Sequence, residues 1–235
     1  MQDFIAVLDF GSQYAHLISK RIRHIGVYTR IFSPSSNENS LAMAKGIILS
    51  GGPASVNSSN LPEFNSKILE LERPILGLCY GHQLISQTFG GSISNTGKGE
   101  FGKAILKQKS DSPLWENISF PNQVWMSHQD SVTQCPEDFE VTAETETGNL
   151  AALKHRQRPI FTLQFHPEVT DTSQGRIMLK NFVNACGLRS RWSMESFIED
   201  STKRLSNEVG NSKVLMFLSG GVDSSVAFAL LNKAL

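Results

Sequence analysis

Short apolar runs bounded by glycine, proline or serine recur through the first third of the chain, at Phe4–Leu8, 27–32, 46–49 and Ile75–Leu78. They do not alternate between apolar and polar positions, which is how strands covered on both faces of a parallel sheet read. Between them apolar residues return at helical spacing. Leu17, Ile18, Ile22 and Ile25 form one stripe that stops at Gly26, and Phe64, Ile68 and Leu71 form another that stops before Pro74. The alternation predicts an α/β, doubly wound and mostly parallel sheet. From Gly102 to about Phe165 strand-like pieces follow one another without long helices, which predicts an antiparallel extension. A helix from about Gln174 to Cys186, stopped by Gly187, completes a unit over residues 1–187. Residues 188–193 read as a linker into a second unit, 188–235, with a helix at Met194–Val209, a strand at 213–218, a Gly/Ser turn and a last helix reaching Leu235.

With 235 residues, 40% of them hydrophobic, the chain can build one large core or two modest ones. Lys and Arg (22) balance Asp and Glu (22), so no long-range field favours nucleic acid or an anionic membrane. No run approaches the roughly 18 apolar residues of a membrane span. Asp3 and Asp9 stand where a signal peptide carries basic residues, so a soluble cytoplasmic protein is expected. Cys79, Cys135 and Cys186 are an odd number at unrelated spacings, which fits neither a disulfide framework nor a metal site. A catalytic thiol is the remaining chemical use.

The strand at Ile75–Leu78 runs into Gly77-Leu78-Cys79-Tyr80-Gly81, the pattern of a nucleophile elbow with cysteine in place of serine. A helix starting directly after Cys79 favours a thiolate through its unpaired N–H groups. The plain alternative is a buried cysteine at a strand end. His166-Pro167-Glu168 follows the apolar run 160–165, at the strand end where open α/β sheets place their chemistry. His166 can take a thiol proton, and Glu168 can orient the ring; a surface turn is the competing reading. Ser50-Gly51-Gly52-Pro53 can offer free N–H groups to an oxyanion, or serve only as a turn. His82 and His128 are rival bases, while Cys135 and Cys186 read as structural.

Taken together, and in this order along the chain, these stretches resemble the class I glutamine amidotransferases over residues 1–187. The resemblance implies a flavodoxin-like sheet and hydrolysis of glutamine to glutamate and ammonia without metal or cofactor. It makes Cys79 the nucleophile, His166 the base and Glu168 its partner. The N–H groups of Gly52 and Tyr80 become the oxyanion hole, with Gln83 and Asp130 at the substrate.

In the second unit, Ser219, Gly220, Gly221, Val222, Asp223, Ser224 and Ser225 lie between the predicted strand and the last helix. Such a turn can cradle phosphates, although it lacks the lysine ending of a Walker A loop. It resembles the pyrophosphate-binding loop of ATP pyrophosphatases, which implies ATP and Mg2+, with Asp223 near the metal. An amidotransferase followed by this loop resembles the glutamine-hydrolysing GMP synthases, as do the stretches Leu8 to Tyr14, Trp125 to Asp130 and Phe165 to Thr170. That family implies amination of xanthosine monophosphate (XMP) to GMP in a homodimeric complete enzyme. The chain departs from the family's usual pattern at Gln129, Asp171 and Ser173. Only 48 residues follow Gly187, short of a whole ATP pyrophosphatase domain of roughly 100–150 residues. Residues 188–235 are therefore expected to form only the start of that α/β domain. The alternatives are a catalytically silent glutamine sensor and a free-standing glutaminase serving a separate synthetase.

Overall fold

The computed structural model describes residues 3–11, 13–58, 61–95, 99–189 and 192–235. Ser12, in the stretch after the first strand, and Ser190 and Arg191, in the expected linker, lie outside the described residues. The chain divides into two compact units, residues 1–190 and 191–235.

The first unit opens with β1 (Phe4–Leu8), α1 (Tyr14–His24), β2 (Tyr28–Phe32), β3 (Ala44–Leu49), β4 (Ile75–Leu78) and α2 (Tyr80–Thr88). It continues with β5 (Ser92–Ser94), β6 (Glu100–Gln108), β7 (Asn122–His128), β8 (Ser131–Gln134), β9 (Phe139–Thr145), β10 (Leu150–His155) and β11 (Ile160–Leu163), and ends with α3 (Gly175–Ala185). The main sheet has the order β2-β1-β3-β4-β11-β10-β9-β6-β7. Its first five strands are parallel. The rest are antiparallel, as the helix-free stretch led one to expect. β5 and β8 pair in a small sheet of their own.

The unalternating strands have a direct cause. On β1, Ile5 and Val7 enter one core with Ile18 and Ile22 of α1 and Leu179 and Phe182 of α3. Phe4, Ala6 and Leu8 enter the opposite core with Tyr80, Leu84 and Ile85 of α2. Each fully buried aliphatic side chain contributes about 1.5–3 kcal/mol, so both faces of the strand are selected to be apolar.

Two expected elements are absent. Residues 64–71 contain only a 3-10 helix at Ser66–Glu70. The Asn65 side chain accepts from the Lys67 N–H at 3.2 Å, a local bond that starts a tight turn, and Pro62 and Pro74 bracket the segment. Ile68 is buried and Phe64 and Leu71 pack on the second core all the same, so the apolar spacing reported burial without an α-helix.

In the second unit residues 213–218 form no strand. A strand requires a hydrogen-bonded neighbour, and the regular elements of this unit among the described residues are α4 (Met194–Val209) and α5 (Val222–Ala234). Leu215 and Phe217 are 83% and 88% exposed. The Ser193 hydroxyl and the Ser196 side chain cap the start of α4 reciprocally. Among the described residues no helix is long and apolar enough to cross a membrane.

Candidate active site

β4 delivers Cys79 into a backbone conformation that side chains rarely adopt, φ 51° and ψ −100°, immediately before α2. Such a residue costs of order 1–3 kcal/mol and persists only where its surroundings over-determine it. Here they do. The Cys79 N–H donates to the Leu163 carbonyl at 2.8 Å, and the Cys79 carbonyl accepts from the Gln83 N–H at 3.2 Å. A Cβ on Gly77 would lie 2.5 Å from the Gly81 carbonyl oxygen, and one on Gly81 would lie 2.6 Å from that of Leu49. Both glycines of the elbow are thus set by close backbone approach. The Cys79 Sγ faces the Ser127 carbonyl at 3.7 Å.

His166 follows β11, the sheet neighbour of β4. Its N–H donates to the Trp125 carbonyl at 3.1 Å, and its carbonyl accepts from the Thr172 hydroxyl at 2.6 Å. The ring packs against Tyr14, with centroids 4.5 Å apart. His166 Nδ1 lies 2.8 Å from Oε1 of the fully buried Glu168. Burial disfavours a charged ring, but the Glu168 carboxylate and the neighbouring Cys79 outweigh it, so the His166 pKa is held well above its usual value. Arg21 Nε donates to the Glu168 carbonyl at 2.8 Å and anchors the turn from behind.

The turn after β3 is braced by Ser50, whose hydroxyl accepts from the Phe10 N–H at 3.1 Å and donates to the Gly51 carbonyl at 2.8 Å. A Cβ on Gly52 would meet the Phe10 carbonyl oxygen at 2.8 Å. The N–H groups of Gly52 and Tyr80 donate to no other group among the described residues.

All seven residues singled out for glutamine chemistry converge. Cys79, His166, Gly52, Tyr80, Gln83 and Asp130 line one cavity of about 670 Å³, within the usual size for a small-molecule site, and Glu168 stands behind His166. Gln83 Nε2 donates to the Asp130 carbonyl at 2.7 Å and to Gln164 Oε1 at 3.2 Å, and Asp130 Oδ2 accepts from the Ser55 hydroxyl. Sequence reasoning assigned no role to Gln13, Tyr14, Ser55, Asn95 or Ser127, which also line the cavity. Tyr14 and Ser127 lie in stretches that carried the family resemblance; Ser55 and Asn95 sit in loops with no distinguishing pattern.

The rival bases separate. His82 is fully buried with Nδ1 2.8 Å from the Thr162 hydroxyl, and it does not line the cavity. Burial, then the neighbouring His128, push its pKa down to about 3. His128 lines the cavity, but its two ring nitrogens face the Asp130 carbonyl and the Glu100 carboxylate. Cys186 packs against Gly46, where a Cβ would lie 2.2 Å from its sulfur, and burial pushes its thiol far up. Burial also raises the Cys135 thiol. Of the three departures from the family pattern, Gln129 lines the cavity. Asp171 and Ser173 hold Gln123 through main-chain atoms, at 2.9 and 3.1 Å.

The second unit's loop is differently built. Ser219, Gly220 and Gly221 form a turn, with Gly220 at φ +79°, and Val222, Asp223, Ser224 and Ser225 make the first turn of α5. The hydroxyls of Ser219 and Ser224 pair at 3.1 Å, and Ser224 and Ser225 both donate to the Gly221 carbonyl at 2.9 Å. Ser224 is half-buried and the other six residues are exposed, so this turn by itself gives ATP or Mg2+ no enclosing walls.

Comparison with known proteins accords with the geometry. The family model for class-I glutamine amidotransferases matches residues 6–186. Two GMP synthases (glutamine-hydrolyzing), from Staphylococcus saprophyticus and Bacillus cytotoxicus, are 46% and 44% identical over 100% and 99% of this chain. The chain spans 46% of each of those relatives, about half their length, and the match takes in the second unit. A solved structure described as one subunit of a GMP synthase from Thermoplasma acidophilum is 30% identical, with a TM-score of 0.72, covering 80% of this chain and 95% of that one. The strand-end cysteine, the buried His-Glu pair beside it and this family match together assign the chain to the class-I glutamine amidotransferases.

Proposed function

We propose that residues 1–187 hydrolyse glutamine to glutamate and ammonia, with Cys79, His166 and Glu168 as the catalytic triad. The observation that carries this reading is the over-determined Cys79 turn opening into the cavity beside the His166–Glu168 pair. The Cys79 sulfur attacks the carbonyl carbon of the side-chain amide while its proton passes to His166. The oxyanion accepts hydrogen bonds from the N–H groups of Gly52 and Tyr80, each worth roughly 3–4 kcal/mol to the transition state. His166 returns the proton to the departing nitrogen, ammonia leaves, and a γ-glutamyl thioester remains. Water then cleaves the thioester, with His166 again as base. Glu168 orients the ring and stabilises its cation. Asp130, the only acid lining the cavity among the described residues, is suited to the α-ammonium group of the substrate, and Gln83 to its polar side chain.

The ammonia, on this proposal, serves ATP-dependent amination of XMP to GMP in the cytoplasm. The likeness to GMP synthases along the whole chain supports it, and the 219–225 turn is the segment offered for pyrophosphate. The likeness to a GMP synthase subunit of about the first unit's extent supports a second reading, in which the first unit is the glutaminase partner of a separate synthetase. Ammonia release from glutamine tests the hydrolytic proposal directly. Supplied with ATP, Mg2+, XMP and glutamine, a protein limited to residues 1–235 is expected to form glutamate and no GMP, because the exposed turn cannot hold the acceptor in line with the α-phosphate. GMP formed by that protein alone would overturn this assignment of the second unit.

A further inference from the structure

Glu100 and His128 stand outside the proposed triad, yet the bonds they make end on the cavity wall. Glu100 opens β6 and lies in register with His128 at the end of β7. His128 is 4% exposed, with Nε2 3.3 Å from Glu100 Oε2 and Nδ1 3.0 Å from the Asp130 carbonyl oxygen. Both ring nitrogens are therefore occupied by neighbouring oxygen atoms.

The carboxylate at the far end is itself held. Thr147 donates to Glu100 Oε1 at 2.5 Å, and the Thr145 and Thr147 hydroxyls pair at 2.8 Å. Burial raises the Glu100 pKa, but hydrogen bonds from His128, Thr147, Thr145 and Asn149 outweigh it and bring it down to about 2. At the near end the Asp130 carbonyl also accepts from Gln83, so the Asp130 main chain is fixed from β6–β7 on one side and from α2 on the other. That leaves its carboxylate facing the cavity from a defined position, where it accepts from Ser55.

We propose that Glu100, acting through His128, is a positioning residue that holds Asp130 where it receives the α-ammonium group of glutamine. The inference rests on the cavity being the glutamine pocket. Its signature is selectivity for one end of the substrate. Loss of Glu100 loosens the wall that meets the α-ammonium group and leaves the Cys79–His166–Glu168 chemistry in place.

The test compares L-glutamine with its analogue lacking the α-amino group, in wild type, Glu100→Ala and Glu100→Gln. For glutamine, Glu100→Ala is expected to raise KM by roughly tenfold with kcat within about twofold. Glu100→Gln, whose amide oxygen still accepts from His128, is expected to raise KM by about threefold. For the analogue both variants are expected to stay within about twofold of wild type, because the contact in question does not exist. Glu100→Gln carries the test if the alanine variant does not fold. An unchanged KM for glutamine, or an equal rise for both substrates, with wild type active, overturns the positioning role alone. Wild type that neither releases ammonia nor takes up an electrophilic glutamine analogue at Cys79 overturns the proposed function and this inference with it.

Discussion

The turn at Cys79 and the turn at Gly221 carry the same signature along the chain: an apolar run, closely spaced glycines and a helix beginning at once. In the folded molecule they differ in every tertiary respect. The first follows a strand with all four residues buried and hydrogen bonds to its sheet neighbours, and it opens into a 670 Å³ cavity. The second follows an exposed segment with no strand, and its hydroxyls pair with each other and with the Gly221 carbonyl. A glycine turn before a helix supplies N–H groups wherever it occurs. A site also needs opposing walls and partners, and those come from neighbouring strands.

The largest effect that could break this contrast is at the sulfur. Cys79→Ala is expected to lower glutamine hydrolysis at least about 10⁴-fold, the scale seen when a covalent nucleophile is removed. An electrophilic glutamine analogue is expected to label Cys79 and to spare Cys135 and Cys186, whose thiols burial holds protonated. Ammonia release and peptide mass spectrometry measure the two, and labelling of Cys135 or Cys186 in folded protein would contradict the assignment.

His166→Ala is expected to cost about 10²–10⁴-fold in turnover, the usual range for a general base, and Glu168→Gln less, since an amide can still hold the ring. The pH profile sharpens this. The His166 pKa is held up by Glu168 against the opposing effect of burial, so the protonated ring of wild type persists to higher pH. Without the carboxylate the largest influence that opposes burial is gone, and the ring loses its proton at lower pH. Because His166 takes the thiol proton in its unprotonated form, the acid limb of the rate profile is expected to move down in Glu168→Gln. A limb that stays in place would detach Glu168 from the ring.

The smallest effects test the two turns as structure. Gly77→Ala and Gly81→Ala drive a methyl group to within 2.5 and 2.6 Å of a carbonyl oxygen, and each is expected to lower the thermal midpoint by an amount equivalent to about 1–3 kcal/mol or more. Gly221→Ala meets nothing nearer than the Ser219 hydroxyl at 3.5 Å, and is expected to cost under about 1 kcal/mol. Equal losses at both turns would mean that the second is as enclosed as the first.

The parallel strands, the helix at Tyr14–His24 and the antiparallel extension were legible because burial on two faces leaves unbroken apolar runs. Residues 64–71 and 213–218 were not. An apolar stripe reports that side chains are buried without reporting the backbone that buries them, and an apolar run reports a strand only where another strand pairs with it. Motif order along the chain pointed to Cys79, His166 and Glu168. It did not set His82 aside, identify Ser55 and Asn95 as cavity residues, or tie Glu100 to His128 and Asp130.

By itself, then, the sequence determined which residues can turn sharply at a strand end, which can take or orient a proton, and which faces must be covered. Only the tertiary structure decided which of these groups meet. Cys79 and His166 lie far apart along the chain, and they are brought together because β4 and β11 are neighbours in the sheet. Pairing between distant strands is set by the packing of the whole sheet against its helices, and no local stretch of residues carries that information.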